Sequence, residues 1–201
     1  ETGKQLPAGH KGLIKVRGPQ VMKGYYRKPD LTAKVLSKDG WLDTGDLGML
    51  TRDGCLRITG RAKDTIVLLG GENIEPLPIE QKLCESDYVQ QAVVLGQDKR
   101  FLTALLVPNQ DAVMAFAKEN ELPILDWETL LAQPEVLELV DGEVQSLVSA
   151  RNGFKAFERI FRFKLLATPF EVGKELSAKQ EVKRHAVNEI YAAEIKALFR
   201  E

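Results

Sequence analysis

The stretch GWLDTGD, residues 40–46, sets an acid directly after a glycine, and GRAKD, residues 60–64, sets an arginine directly after another. An ionised Asp is acceptor-only and can take two hydroxyl donors at once, which is what gripping a vicinal diol such as a ribose requires. Asp46 is a candidate for that task, with Gly45 allowing the backbone to turn close to a ligand. The same residue also suits a turn in which an Asp bonds its own backbone. Arg61 carries a planar, permanently charged fork suited to phosphate or carboxylate. A structural pair with Asp64 across the turn would use the same fork. Lys63 has no apolar support on either side and reads as a solvated side chain.

Two further stretches carry groups of interest. LLGGENIEP places Gly70 and Gly71 ahead of an expected helix start, where backbone N–H groups can approach an anion or a thin chain can pass. It is not a phosphate loop, because no Gly-x-x-x-x-Gly-Lys-Ser/Thr occurs. A plain strand-to-helix connection has the same composition. KELSAKQEVKRH gathers Lys174, Lys179, Lys183 and Arg184. A lysine held over a developing carboxyl–phosphate charge would stabilise it, whereas a solvated helix face would look alike. His10 and His185 have no spacing for metal or triad work, so no metal site is expected. Trp41, Tyr25 and Tyr26 read as packing residues.

The elements that must hold these residues follow from periodicity. GLIKVRG (12–18) alternates like a half-buried strand, and PDLTAKVL suits a short helix. LGMLT and CLRIT flank an Asp-Gly, the signature of a hairpin with a type I′-compatible turn. After Gly60 the pattern changes. A strand runs into the Gly-Gly turn, IEPLPIEQKLCES reads as a helix, and YVQQAVVLGQ and FLTALLVPN read as strong strands. QDAVMAFAKEN and PEVLELVDGEVQSLVSARN are amphipathic helices, the second with Val136, Leu139, Val140, Val144 and Leu147 on one stripe. RIFRFKLLA is a further strand. AKQEVKRHAVNEIYAAEIKALF predicts one long closing helix, with Val182, Ala186, Ile190, Ala193 and Ala197 in line. The expected class is α+β, with a β-rich piece over 1–60, a mixed domain over 61–201, and a boundary near 61–64.

Composition narrows the field of functions. The chain has 201 residues and a net charge of −1, which gives no support to a nucleic-acid partner. No apolar run is long enough to span a bilayer. The two cysteines, Cys55 and Cys84, have neither zinc nor disulfide spacing, which points to a reducing cytosolic setting. The opening ETGKQLPAGHKG holds no Met and no signal peptide and reads as the middle of a loop, so the chain is expected to be a piece of a longer one.

Taken together and in order, the motifs from GLIKVRG through DTGD, GRAKD and LLGGENIEP resemble the adenylate-forming superfamily of acyl-CoA synthetases, firefly luciferases and peptide-synthetase adenylation domains. FERIFRFKLL and ELSAKQEVKR are most similar to long-chain fatty-acid–CoA ligases. The resemblance covers essentially the whole chain. It corresponds to the end of the large N-terminal domain followed by the mobile C-terminal domain.

The resemblance assigns roles. Asp46 would bind the ATP ribose hydroxyls, and Arg61 would reach the same ribose and phosphate region. Lys63 would be the hinge, and Gly70 and Gly71 would form the loop that approaches the pantetheine of CoA. The implied reaction joins a fatty acid to CoA through acyl-AMP, releasing pyrophosphate and then AMP. Mg²⁺ would accompany ATP, with ligands outside this piece. The piece alone would be inactive, since the phosphate loop and the fatty-acid pocket belong upstream. The other partner would be the rest of the large domain. The parent would be cytoplasmic, with peripheral membrane association compatible. The family's adenylation lysine sits in a stretch such as T-L-K-L-K-R, and matching VKR puts Glu181 at that position. Lys179 is then the substitute, placed at the frayed start of a helix. Two alternatives stay open. One is an acyl-AMP ligase or acyl–carrier-protein synthetase, against which the lack of an insertion after the hinge favours CoA. The other is a non-catalytic relative acting as a binding module, which Glu181 would suit.

Overall fold

A computed structural model describes residues 3–200. The chain divides into two compact units, Glu1–Thr65 and Ile66–Glu201. The class is α+β throughout, as expected.

In the first unit, β1 (Gly12–Val16), β2 (Leu42–Leu50) and β3 (Leu56–Arg61) form an antiparallel sheet in that order, and α1 (Pro29–Val35) lies between β1 and β2 in the chain. The β2–β3 hairpin is not the type I′ turn that Asp-Gly suggested. Thr51 N–H donates to Cys55 O at 2.8 Å, Gly54 N–H donates to Thr51 O at 3.0 Å, and Gly54 takes φ +83° while Asp53 stays out of the left-handed region. That is a three-residue loop closed by one left-handed glycine. Thr51 tightens it by accepting the Cys55 N–H on its hydroxyl at 2.9 Å. No residue of this unit belongs to the buried hydrophobic core among the described residues, and Leu13, Leu50, Leu56 and Ile58 are all exposed.

The second unit has the core. β4 (Ile66–Val67) and β5 (Asn73–Ile74) make a small ribbon, followed by α2 (Pro76–Leu83). β6 (Val89–Leu95) pairs antiparallel with β7 (Leu102–Pro108). The chain then passes through α3 (Gln110–Glu119), α4 (Trp127–Leu131) and α5 (Pro134–Leu147) before β8 (Ile160–Leu165) pairs parallel with β7. β7 is central and every residue in it is buried. Its Leu102, Ala104 and Leu106 face Ile79 and Leu83 of α2 and Val136, Val140 and Val144 of α5. Its Leu105 and Val107 face the other side, with Leu166, Phe170 and Val187. Each of these Leu, Ile, Val and Phe side chains stabilises the fold by about 1.5–3 kcal/mol. Pro76 and Pro134 open their helices where a missing N–H is harmless. Asn109 and Asp126 cap α3 and α4 with their side chains. α4 has no counterpart among the elements expected from periodicity.

The expected closing helix is shorter and divided. α6 (Arg184–Ile190) and α7 (Ala192–Leu198) meet at Tyr191, and 178–183 is not helical. Ser177 outcompetes the helix there, because its hydroxyl accepts N–H bonds from both Lys179 and Glu181 at 3.2 Å. Gln180 takes φ +61°, which a right-handed helix forbids. The buried stripe is also out of phase with the expected one. Val187 is buried, with Tyr191, Ile195 and Leu198 packed against the same cluster, while Ile190 is 50% exposed.

Candidate functional site

Asp46 is held by its own neighbours. Thr44 hydroxyl donates to Ile14 O of β1 at 2.8 Å and accepts the Asp46 N–H at 3.1 Å. Asp43, rather than Asp46, makes the local turn bond, accepting Gly45 N–H at 2.9 Å. Gly45 takes φ +73°, which strains any residue with a side chain. Asp43 and Thr44 were missed by sequence reasoning. The readable signal was the Asp-Thr-Gly run, since Asp and Thr side chains favour N–H groups two residues on.

Arg61 is the direct cross-strand partner of Asp46 in the β2–β3 register. Its Nε lies 3.3 Å from Asp46 Oδ1, with the two side chains 41% and 28% exposed. An ion pair this exposed stabilises by about 0–1 kcal/mol. The fold loses little if the two groups part to grip a ligand. A carboxylate that can accept two hydroxyls and a guanidinium fork therefore stand side by side at the end of one hairpin. Lys63 is exposed in the single helical turn Ala62–Asp64 that follows, within the same unit.

In the second unit, Gly70 and Gly71 are exposed in the loop that joins β4 to β5. Leu68 N–H donates to Glu72 O at 3.0 Å, Gly71 N–H donates to Leu68 O at 2.9 Å, and Gly71 takes φ +89°. The glycines do not sit at a helix start, because β5 intervenes before α2. These glycines therefore form the turn of a short hairpin and not a helix terminus that could receive an anion.

The four cations near the C-terminus do not share a face. Lys174 pairs with Glu171 at 2.7 Å, and that bond holds its amine above the ordinary value. Lys183 Nζ donates to Gly173 O at 3.0 Å. Arg184 turns inward, where Nη2 meets Glu80 Oε1 at 2.6 Å and Nη1 donates to Val94 O at 2.9 Å. Lys179 and Glu181 are exposed in the Ser177–Glu181 turn, so Lys179 does not sit at a helix start. The turn is tied down from behind by a buried acid. Glu175 accepts Glu171 N–H at 3.0 Å and the Tyr191 hydroxyl at 3.3 Å. Burial pushes its carboxyl up, but hydrogen bonds from the Glu171 and Glu175 backbones and from Tyr191, with Lys174 nearby, outweigh it, and the net displacement is downward. Burial, then Glu175, pushes the Tyr191 phenol up to about 12.

Residues 63–201 match the family model described as the AMP-binding enzyme C-terminal domain. The chain belongs to this family. A long-chain-fatty-acid–CoA ligase of Mycobacterium tuberculosis is 34% identical over 98% of this chain and 32% of its own length. A chloroplastic long-chain-fatty-acid–[acyl-carrier-protein] ligase of Arabidopsis thaliana is 50% identical over 55% of this chain and 17% of its own length. Among solved structures, the adenylation domain of a carboxylate reductase from Mycobacterium chelonae superposes with a TM-score of 0.78 at 24% identity, over 95% of this chain and 28% of that one. The chain thus spans about a third or less of the proteins it matches. The family match begins at Lys63, two residues after Arg61.

Proposed function

We propose that this chain is part of an AMP-forming long-chain fatty-acid–CoA ligase, in which ATP activates a fatty carboxylate as acyl-AMP and CoA then displaces AMP. The observation that carries the reading is the Asp46–Arg61 pair, an acceptor for a ribose diol set 3.3 Å from a phosphate-binding fork, in a chain of the AMP-binding family. Asp46 and Arg61 hold ATP and then AMP in this reading. Mg²⁺ enters with ATP as part of that substrate. Lys63 is the pivot between the end of the large domain and the mobile C-terminal domain, and Gly70 and Gly71 face the thiol acceptor. Lys179 supplies charge to the adenylation step. The exposed hydrophobic side chains of β1–β3 are the surface that the remainder of the large domain would cover. No helix among the described residues is long and apolar enough to cross a membrane. We place the whole enzyme in the cytoplasm and peripheral to a membrane, because a long acyl chain partitions there at about 0.8 kcal/mol per CH₂.

The test is ATP–pyrophosphate exchange by the full-length protein with palmitate. Exchange is expected, and its absence with every carboxylate tried would sink the enzyme reading. Two observations favour second readings. The carrier-protein ligase among the relatives supports a carrier protein as acceptor, which thioester assays with CoA and loaded carrier protein separate. Glu181 at the expected lysine position supports a non-catalytic binding module. A Glu181→Lys variant that exchanges faster than wild type points instead to a working but weakened enzyme.

A further inference from the structure

Among the described residues, Glu80 and Glu175 are the buried acids. Glu80 is matched by Arg184. Glu175 is met instead by neutral donors, the Glu171 N–H at 3.0 Å and the Tyr191 hydroxyl at 3.3 Å, while the nearby Lys174 pairs with Glu171. A buried carboxylate costs free energy that an apolar side chain in its place would not. In return it is an acceptor-only group that holds donors from two elements at once. Tyr191 keeps its proton for that bond at neutral pH, since its phenol is pushed up to about 12.

The turn that Glu175 leads into is built to one shape. Leu176 bridges Val182 in an antiparallel pair, Ser177 N–H donates to Glu181 O at 2.8 Å, and Lys183 N–H donates to Glu175 O at 2.8 Å. Leu176 is buried, and Val182 and Tyr191 pack against the same cluster. Gln180 takes φ +61° at the tip, a conformation that costs a non-glycine residue free energy and persists where the surroundings over-determine it. The stem is thus anchored in the core, and the tip carries Lys179 and Glu181 outward. Tyr191 stands where α6 meets α7, and its ring meets Phe170 edge-on at 6.0 Å. Its hydroxyl ties the foot of the turn to that helix pair.

We infer that Glu175 and Tyr191 are positioning residues for the adenylation half-reaction, holding the Ser177–Glu181 turn where its exposed groups reach the reacting carboxylate and phosphate. Neither residue touches substrate. The inference rests on the reading of the whole protein as an AMP-forming ligase whose adenylation step uses this turn. In that reading thioester formation belongs to the Gly70–Gly71 loop, which has no part in these bonds, so the two half-reactions should respond differently.

The experiment uses the full-length enzyme with Tyr191→Phe, with Glu175→Gln, and with both. ATP–pyrophosphate exchange with palmitate reads adenylation. AMP release from supplied acyl-AMP, with CoA or loaded carrier protein as acceptor, reads thioester formation. Tyr191→Phe should lower kcat for exchange about tenfold or more, as loss of a hydrogen bond to a charged group implies. The KM for ATP and the thioester rate should not move. Glu175→Gln keeps the shape without the charge and should fall as far or further. The double variant should fall no further than the lower single variant, because the same bond is removed twice. Equal losses in the two half-reactions make the pair merely structural and overturn the inference. No loss of exchange, a loss confined to thioester formation, or singles whose losses simply multiply in the double variant overturns it too. In each of these cases wild-type exchange leaves the ligase reading standing. A wild-type enzyme that exchanges with no carboxylate overturns both.

Discussion

Arg184→Met tests how the C-terminal turn is held in place. Arg184 and Glu80 form an ion pair at 2.6 Å with side chains 18% and 9% exposed. Glu80 Oε1 also accepts the Val94 N–H at 2.8 Å, and Arg184 donates to the Val94 carbonyl at 2.9 Å. β6 is the terminal strand of its sheet, so the pair substitutes for a missing strand neighbour at Val94. Removing one partner of a buried pair costs about 3–5 kcal/mol. Retention of the Val94 N–H bond lowers the expected loss to about 3 kcal/mol.

Trp127 reports on this unit, since its indole N–H donates to Ala167 O at 3.1 Å. With Trp41→Phe as background, urea unfolding followed by Trp127 fluorescence should show the midpoint fall by about 2 M, for a slope of about 1.5 kcal/mol/M. The double variant Glu80→Leu/Arg184→Met should still lose about 2 kcal/mol, because it strands two backbone groups of Val94. Many buried pairs can be replaced by apolar residues without loss. A double variant as stable as wild type, or an Arg184→Met loss under about 1 kcal/mol, would refute the strand-neighbour argument.

Other outcomes follow from the same geometry. In the full-length enzyme, Asp46→Ala should weaken AMP binding by about 2–3 kcal/mol, roughly 30- to 150-fold in Kd, by calorimetry; an unchanged Kd removes Asp46 from the site. Lys63→Pro fixes φ at the proposed pivot, so one half-reaction should survive and the other fail. Equal loss of acyl-AMP formation and thioester formation counts against a pivot there. Tyr191 has a folded-state pKa raised to about 12, so its contribution is complete below about pH 10 and is lost as pH rises toward 12. Tyr191→Phe should abolish that part of the alkaline loss in a pH series of unfolding midpoints, and identical alkaline profiles would show that Tyr191 does not carry it.

Strands β1 and β6 to β8 and the α5 stripe were legible because local periodicity and burial agree there. LTALLVP is apolar at nearly every position and became the fully buried central strand, and Val136, Val140 and Val144 are buried where spacing put them. The motifs DTGD, GRAKD and LLGGENIEP, in that order, carried the resemblance to the family to which the chain belongs. Three things were decided only in three dimensions. Strand register set Asp46 opposite Arg61, and register depends on which partner residues pair, which spacing along one strand does not state. The closing helix carried two overlapping apolar stripes, and the sheet chose the one through Val187, Tyr191 and Ile195 because only that face meets Val93, Leu105 and Val107. Arg184 looked like one of four solvated cations, yet a terminal strand with an unpaired N–H and C=O at Val94 drew it and Glu80 inward. Local sequence fixes what a side chain can do, but its partner is set by elements ninety residues away in the chain.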